Sequence, residues 1–303
     1  MKKIVLATIV GLSLFALTAC SSSGSNKGTT NVVTMKGDTI EEVDVYAEAA
    51  KFPSTGANQL IQNLTFSKIF EKEFGKKVSS SDVQEQYDNQ KAQYGTSWDT
   101  YLSQQGYTEA SYKESLRLQM LEQYAIDQEI SATEYSDAKL RSAWANYYPT
   151  VDTYVVSSTT KDDVQKAHDQ AISDFSSFKK DQDSKGTEVK FDTSNTTIPS
   201  DVQTAATKLS NGKSSDIITS TDQSTGATTY YFVYMINNPG KGSDYKKYTT
   251  QLKNYVKTQK EKDQTFTASV FKKYLLKYNV IVKDQNFNNI FSNYLSNTSS
   301  SSN

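Results

Sequence analysis

The sequence predicts an α+β protein in which the N- and C-terminal segments form a helical body and a small α/β domain is inserted between them. Three observations carry this reading. Apolar residues recur at helical spacing through residues 57–148 and again after Ser243. Two β-branched, aromatic runs, 151–156 and 228–236, bracket the middle of the chain. The chain carries a single cysteine in 303 residues, so the fold rests on its cores rather than on disulfides.

Taken in order, the first element is a processing signal. Lys2 and Lys3 precede an apolar run over residues 4–17, too short for an ordinary spanning helix, and the small residues Thr18 and Ala19 lead into Cys20 and a Ser/Gly tract. Residues 1–19 are read as a removable signal peptide. The tetrapeptide Leu17-Thr18-Ala19-Cys20 resembles the lipobox of bacterial lipoproteins. That resemblance implies cleavage before Cys20 and a lipid anchor on its sulfur, holding the chain to the extracytoplasmic face of the cell membrane. Two or three acyl chains, at about 0.8 kcal/mol per buried methylene, hold a soluble domain firmly where one chain is marginal. A lipidated Cys20 leaves no thiol for catalysis or zinc. Residues 20–31 continue without an apolar side chain after the anchor and read as a flexible linker.

Residues 32–148 form the N-terminal helical part. A short strand, Val32-Val33-Thr34-Met35, is followed by a Lys36-Gly37-Asp38 turn. Leu60, Ile61, Leu64, Phe66, Ile69, Phe70 and Phe74 recur at helical spacing until Gly75 stops the run. Ser81-Asp82-Val83-Gln84 reads as a capping box opening a helix to Tyr94, and Trp98, Tyr101 and Leu102 lie on a short helix closed by Gly106. Thr108 opens the longest segment, with Tyr112, Leu116, Met120 and Tyr124 on one stripe. Ser131-Ala132-Thr133-Glu134 reads as another helix start, and that helix ends before Pro149.

Residues 149–240 form the α/β domain, expected as a strand at 151–156, a helix over 161–180, a helix over 201–209 and a strand at 228–236, closed by Pro239-Gly240-Lys241-Gly242. Residues 241–290 follow as a C-terminal helix and strand completing the body. The helical spacing runs over 245–278, and Val280-Ile281-Val282 is expected to lie beside Val32–Met35. Residues 291–303 are Ser/Asn-rich and are expected to be a disordered tail.

The mature chain would hold 31 basic and 34 acidic residues, a net charge of about −3. Only Arg117 and Arg141 are arginines, and no lysine cluster accompanies an aromatic platform, so nothing supports nucleic-acid binding. No G-x-x-x-x-G-K-[ST] loop is present to cradle nucleotide phosphates. The single histidine, His168, lies on what reads as a solvated helix face, without partners for a catalytic or metal site. Glu71 and Glu73 likewise read as solvated charges. Catalytic residues, metal ligands and cofactors are all expected to be none.

Two segments carry a family resemblance. Tyr87-Asp88-Asn89-Gln90-Lys91-Ala92-Gln93-Tyr94-Gly95, followed by Tyr101-Leu102-Ser103-Gln104-Gln105-Gly106-Tyr107-Thr108-Glu109, is the first. Ala205-Ala206-Thr207-Lys208-Leu209-Ser210-Asn211-Gly212 with Ser215-Asp216-Ile217 is the second. Together with the lipobox, these resemble the PrsA-like foldase lipoproteins of Gram-positive bacteria and, more distantly, the SurA-type chaperones. The resemblance implies a helical chaperone body with an inserted parvulin-like domain and peptidyl-prolyl isomerase chemistry. Active parvulins carry a histidine in the first strand and one in the last. Here Tyr154 and Phe232 stand at those positions, and the family's G-G-D-L-G loop is missing, so the domain reads as degenerate, its proline pocket surviving as a vestige around Tyr154 and Phe232 and its isomerase activity weak or absent.

The function expected is therefore an extracytoplasmic, membrane-anchored chaperone that holds unfolded or newly secreted polypeptides, with Tyr94, Trp98, Tyr101, Tyr107 and Tyr112 as client-binding aromatics. Pairing of two copies as a homodimer is compatible with this reading. The alternatives are a parvulin-type enzyme of weak activity and a lipid-anchored solute-binding protein or adhesin, the latter disfavoured because only one small α/β unit is present.

Overall fold

The computed structural model describes residues 30–181, 186–195 and 197–295. The signal peptide, Cys20 and the linker up to residue 29 lie outside the described residues, as does the chain after Leu295. Two compact units are present, one made of the chain up to Gln128 together with Gln264 onward, the other of Glu129–Asp263.

The first unit opens with strands β1 (Asn31–Met35) and β2 (Asp38–Glu41) and helix α1 (Glu42–Lys51). Gly37, at φ 75°, makes the hairpin turn. Helices α2 (Ala57–Phe74), α3 (Ser80–Tyr94), α4 (Trp98–Gln105) and α5 (Glu109–Thr133) follow. The capping box that opens α3 is Ser79 with Asp82, not the expected Ser81 motif. Gly106, at φ 73°, closes α4 as the sequence indicated. The expected helix start at Ser131 lies instead in the last turn of α5, where the Thr133 hydroxyl donates back to the Glu129 carbonyl.

The second unit holds helix α6 (Asp137–Asn146), strand β3 (Val151–Ser158), helices α7 (Lys161–Ser173) and α8 (Phe175–Lys180), strand β4 (Gly186–Phe191), helix α9 (Ser200–Thr207), strands β5 (Ile218–Thr221) and β6 (Thr228–Asn237), and helix α10 (Thr249–Lys262). Its sheet runs β4-β3-β6-β5, antiparallel throughout. Two strands expected from sequence were therefore four. The additional pair, β4 and β5, are edge strands whose half-exposed, Thr- and Lys-bearing residues carry little apolar alternation. The helix expected over 161–180 is broken at Asp174, which caps α8 by accepting from the Ser177 N–H at 3.1 Å.

The sheet is covered on both faces. Val202 and Ala206 of α9 pack on Val151, Val155, Val233 and Met235. Val164 and Ala171 of α7 and Phe178 of α8 pack on Tyr154, Val156 and Phe232. A third cluster joins Leu140 and Tyr147 to Tyr245, Leu252 and Val256.

Helix α11 (Gln264–Lys277), strand β7 (Ile281–Val282) and helix α12 (Ser292–Leu295) complete the first unit. The helical spacing over 245–278 is thus two helices, because Asp263 leaves the helical region at ψ 97°. Strand β7 pairs antiparallel with β1, Val33 opposite Val282, as the sequence suggested. Phe66 and Phe70 on α2 meet Phe271 and Tyr274 on α11 at ring separations of 4.8 and 5.2 Å. Arg117 on α5 forks onto the Glu71 carboxylate and donates to the Val78 carbonyl at 2.6 Å. Glu73 accepts from Lys277 at 2.6 Å and from the Tyr278 hydroxyl at 2.8 Å. Both glutamates, read from sequence as solvated, are cross-braces between segments distant in the chain. Among the described residues no helix is long and apolar enough to cross a membrane.

The disordered tail expected from residue 291 begins too early. Phe291 is buried, its ring edge-on to Phe66, and Tyr294 packs on Phe66 and Phe271. Apolar anchors hidden in a Ser/Asn-rich composition explain the difference. Phe291→Ala is expected to cost about 3–5 kcal/mol of unfolding free energy by denaturant titration; a variant as stable as the parent would mean that the chain end is not part of the core.

Burial pushes the Glu122 carboxyl on α5 up to about 8. The native state then holds this proton more tightly than the unfolded chain, so stability present below about pH 4.5 is lost as pH rises towards 8. Glu122→Gln should match the parent at pH 4 and melt at a higher temperature at pH 8. Equal melting temperatures at both pH values would refute this.

Candidate functional site

Two regions were singled out by the sequence, and each lies within one unit. The first is the aromatic set on α3, α4 and the start of α5. Helical spacing puts Tyr94 at the end of α3, Trp98 and Tyr101 one turn apart on α4, and Tyr112 in the first turns of α5, with Tyr107 in the tight connection after Gly106. The structure brings all five together. Tyr94 and Tyr101 stack at 4.5 Å, Trp98 stacks on Tyr101 at 5.5 Å, and Tyr112 stands edge-on to Trp98 at 5.1 Å and to Tyr107 at 5.4 Å.

Their exposures divide the set. Trp98 is 1% exposed and Tyr112 is buried, so these two are core, whereas Tyr94 is 43% exposed and Tyr101 and Tyr107 are half-buried. Tyr87, the first residue of the family segment on α3 and not among the five expected client-binding aromatics, is the polar pin of the cluster. Its hydroxyl accepts from the Trp98 indole N–H at 2.9 Å and donates to Glu109 at 3.2 Å. Lys113 lies over the Tyr87 ring at 4.6 Å. Its position seven residues before Tyr94 on α3 was the available signal. Burial, followed by the nearby Tyr94 hydroxyl, raises the Tyr101 phenol, and burial with Tyr101 raises that of Tyr112. These phenols stay neutral at physiological pH. What the cluster can do is offer rigid, partly wet aromatic area over a buried base, the composition of binding hot spots.

The second region surrounds Tyr154 and Phe232. Tyr154 is 5% exposed and Phe232 is 0% exposed. They lie on the sheet face covered by α7 and α8, with Tyr154 edge-on to Phe175 and Phe178 at 5.6 and 6.0 Å. Gly186 is required by this packing, because a Cβ there would fall 2.0 Å from a Tyr154 ring carbon. His168, expected on a solvated face, sits edge-on to the Phe232 ring at 5.3 Å with its side chain 17% exposed. The histidine therefore serves as a lid on an aromatic core. The space around Tyr154 and Phe232 is filled by these rings.

A groove of about 400 Å³ between α6 and α10 is lined by Ala143, Tyr255 and Val256, with Glu134, Lys139 and Lys260 at its rim. Burial raises the Glu134 carboxyl, but its contacts with Lys139 and Lys260 outweigh this and hold it below its usual value. This is an ion-paired rim, without an acid–base pair poised near neutrality. Among the described residues no cluster of His, Cys, Asp or Glu could hold a metal ion.

No protein-family model matches the chain. The foldase protein PrsA of Lactococcus lactis subsp. lactis is 49% identical, covering 99% of this chain and 97% of that protein. The foldase protein PrsA of Streptococcus mutans is 36% identical, covering 97% and 88%. Among solved structures, the foldase protein PrsA from Lactococcus lactis gives a TM-score of 0.76 at 49% identity, covering 88% of this chain and 100% of the other. PrsA from Streptococcus pneumoniae gives 0.69 at 32% identity, covering 88% and 99%.

The exposure gradient makes a stability prediction. Trp98→Ala should cost about 3–5 kcal/mol through its cavity and the lost indole hydrogen bond to the Tyr87 hydroxyl, whereas Tyr94→Ala should fall within about 0.5–1 kcal/mol. Chemical denaturation distinguishes the two; comparable losses would mean that Tyr94 is structural.

Proposed function

We propose, on the premise that this chain belongs to the PrsA foldase family, that it is an extracytoplasmic chaperone tethered to the membrane through lipidated Cys20, and that it holds newly secreted chains while they fold. Membership rests on identities of 49% and 36% over nearly the whole chain, which also removes the solute-receptor and adhesin alternative.

The observation that carries the client-holding role is the partly exposed Tyr94–Tyr101–Tyr107 surface resting on buried Trp98 and Tyr112. A folding helper must bind unfolded segments and let them go. Aromatic rings fixed by packing lose little side-chain entropy on binding, and each contributes modestly to the contact. A client that buries its own apolar residues then leaves without ATP.

The parvulin-like unit is assigned a structural part in this reading. Rotation about a prolyl bond is slow, and its catalyst must seat the proline ring and offer hydrogen bonds to the twisted amide. The Tyr154–Phe232 region offers neither free volume nor a histidine pair, since His168 is the only histidine in the chain. Packing around those two rings supports a spacer that has traded its pocket for a core.

The test uses the mature chain with an unfolded, aggregation-prone client. The parent should suppress light scattering, the double variant Tyr94→Ser with Tyr101→Ser should need about tenfold more protein for the same suppression, and neither should accelerate isomerisation of an X–Pro peptide. Full suppression by the double variant would sink the aromatic site, and clear isomerase activity would sink the spacer assignment.

A further inference from the structure

Helix α1 is anomalous. None of its ten residues is buried, yet it is held firmly at both ends. At its start the Glu41 N–H donates to the Asp44 carboxylate at 3.0 Å within a capping box, and the Glu42 N–H donates to the Thr30 carbonyl at 3.0 Å. At its end Lys51 bridges to Glu114 of α5 at 2.7 Å. A helix this short is marginal in water unless it buries a face. Here Val43 is 59% exposed and Tyr46 is 74% exposed, and Ala47 and Ala50 are exposed as well. Their i, i+3, i+4, i+7 spacing makes a single outward stripe.

Two further observations indicate what covers that stripe. It leads at its C-terminal end to Phe52, whose ring stands edge-on to Tyr107 at 5.9 Å, so the stripe is continuous with the aromatic cluster. Its N-terminal flanks are acidic, with Glu42 exposed and Asp44 half-exposed on either side, while the cation at its far end, Lys51, is already paired with Glu48 and Glu114. We propose that α1 is a docking face for cationic amphipathic segments of unfolded clients, extending the aromatic site by a helix length of about 15 Å. The proposal rests on the chaperone reading and names the client chemistry that the reading leaves open. Apolar side chains of such a segment cover Val43 and Tyr46, while its lysines or arginines meet the bordering carboxylates. The same carboxylates repel an anionic bilayer, which sets a polypeptide above a membrane as the occupant.

The experiment measures binding of two fluorescent amphipathic peptides, one built of Leu and Lys and one of Leu and Glu, to the full mature chain at low salt. The Leu/Lys peptide should bind about tenfold more tightly than its acidic counterpart, the preference shrinking at high salt. The double variant Val43→Ser with Tyr46→Ser should bind it about tenfold more weakly, and Glu42→Lys should erode the charge preference; circular dichroism and melting temperature confirm that both variants fold. Equal binding of the two peptides, unchanged binding by the double variant, or binding of anionic phosphatidylglycerol vesicles that depends on Val43 and Tyr46 would each overturn it. If the peptides fail while the Tyr94/Tyr101 variant still loses suppression of aggregation, this proposal falls and the chaperone reading stands; if both fail, the reading falls with it.

Discussion

The first unit exists only because the C-terminal segment returns to the N-terminal one. Strand β1 is paired on both sides, by β2 in a local hairpin and by β7 from the far end of the chain. The same return places Phe271 and Tyr274 among Phe66, Phe70 and Phe74, and Lys277 and Tyr278 on Glu73. Without it, the rings of α2 would face water and β1 would present an open edge. An entire α/β unit can be inserted in the chain because the ends, rather than neighbouring segments, make the closing contacts. The cost falls on kinetics, since loops of this length must close before the pairing stabilises anything.

Much of this was legible in the sequence, and the misses have physical causes. The runs through Phe66 and Phe70 and through Phe271 and Tyr274 declared their helices by periodicity, and Gly75 and Gly106 declared their ends. The pairing of 280–282 with 32–35 was readable because two β-branched runs stood without other partners. Helix α1 carries its apolar period on an outward stripe and only Val45 and Ala49 half-buried on the inner side, so its short run gives little sign of a core-facing helix. Strands β4 and β5 were missed for the related reason that edge strands with one wet face need few apolar residues. Composition misled at the C-terminus, where Ile290, Phe291 and Tyr294 act as anchors among Ser and Asn.

The candidate site was legible in its members and opaque in its layering. Five aromatics were named from one window of sequence, and they do converge. Spacing alone does not separate Trp98, which is covered on every side, from Tyr94, which is not. The two flank the α3–α4 turn, and the difference arises from Tyr87 and Tyr112 packing edge-on to the Trp98 ring while Tyr94 meets it from the outer side. The pinning hydroxyl of Tyr87 was invisible for the same reason: a tyrosine in a helical stripe reads as bulk until its partners are known.

The two aromatic regions then differ in one respect that decides their chemistry. Around Phe232 the rings of Phe178 and His168, with Tyr154 nearby, close over a fully covered centre, so added apolar surface has nowhere to go. Around Trp98 the outer rings of Tyr94, Tyr101 and Tyr107 remain partly wet above an equally dense base. Apolar burial of about 25 cal/mol per Å² is still available at the second and already used at the first. Rigidity from a buried layer together with unspent area in an outer one is the combination that the proposed client-holding role requires. The same pairing of fixed ends and an uncovered face recurs in α1, which adjoins the cluster through Phe52 and Tyr107.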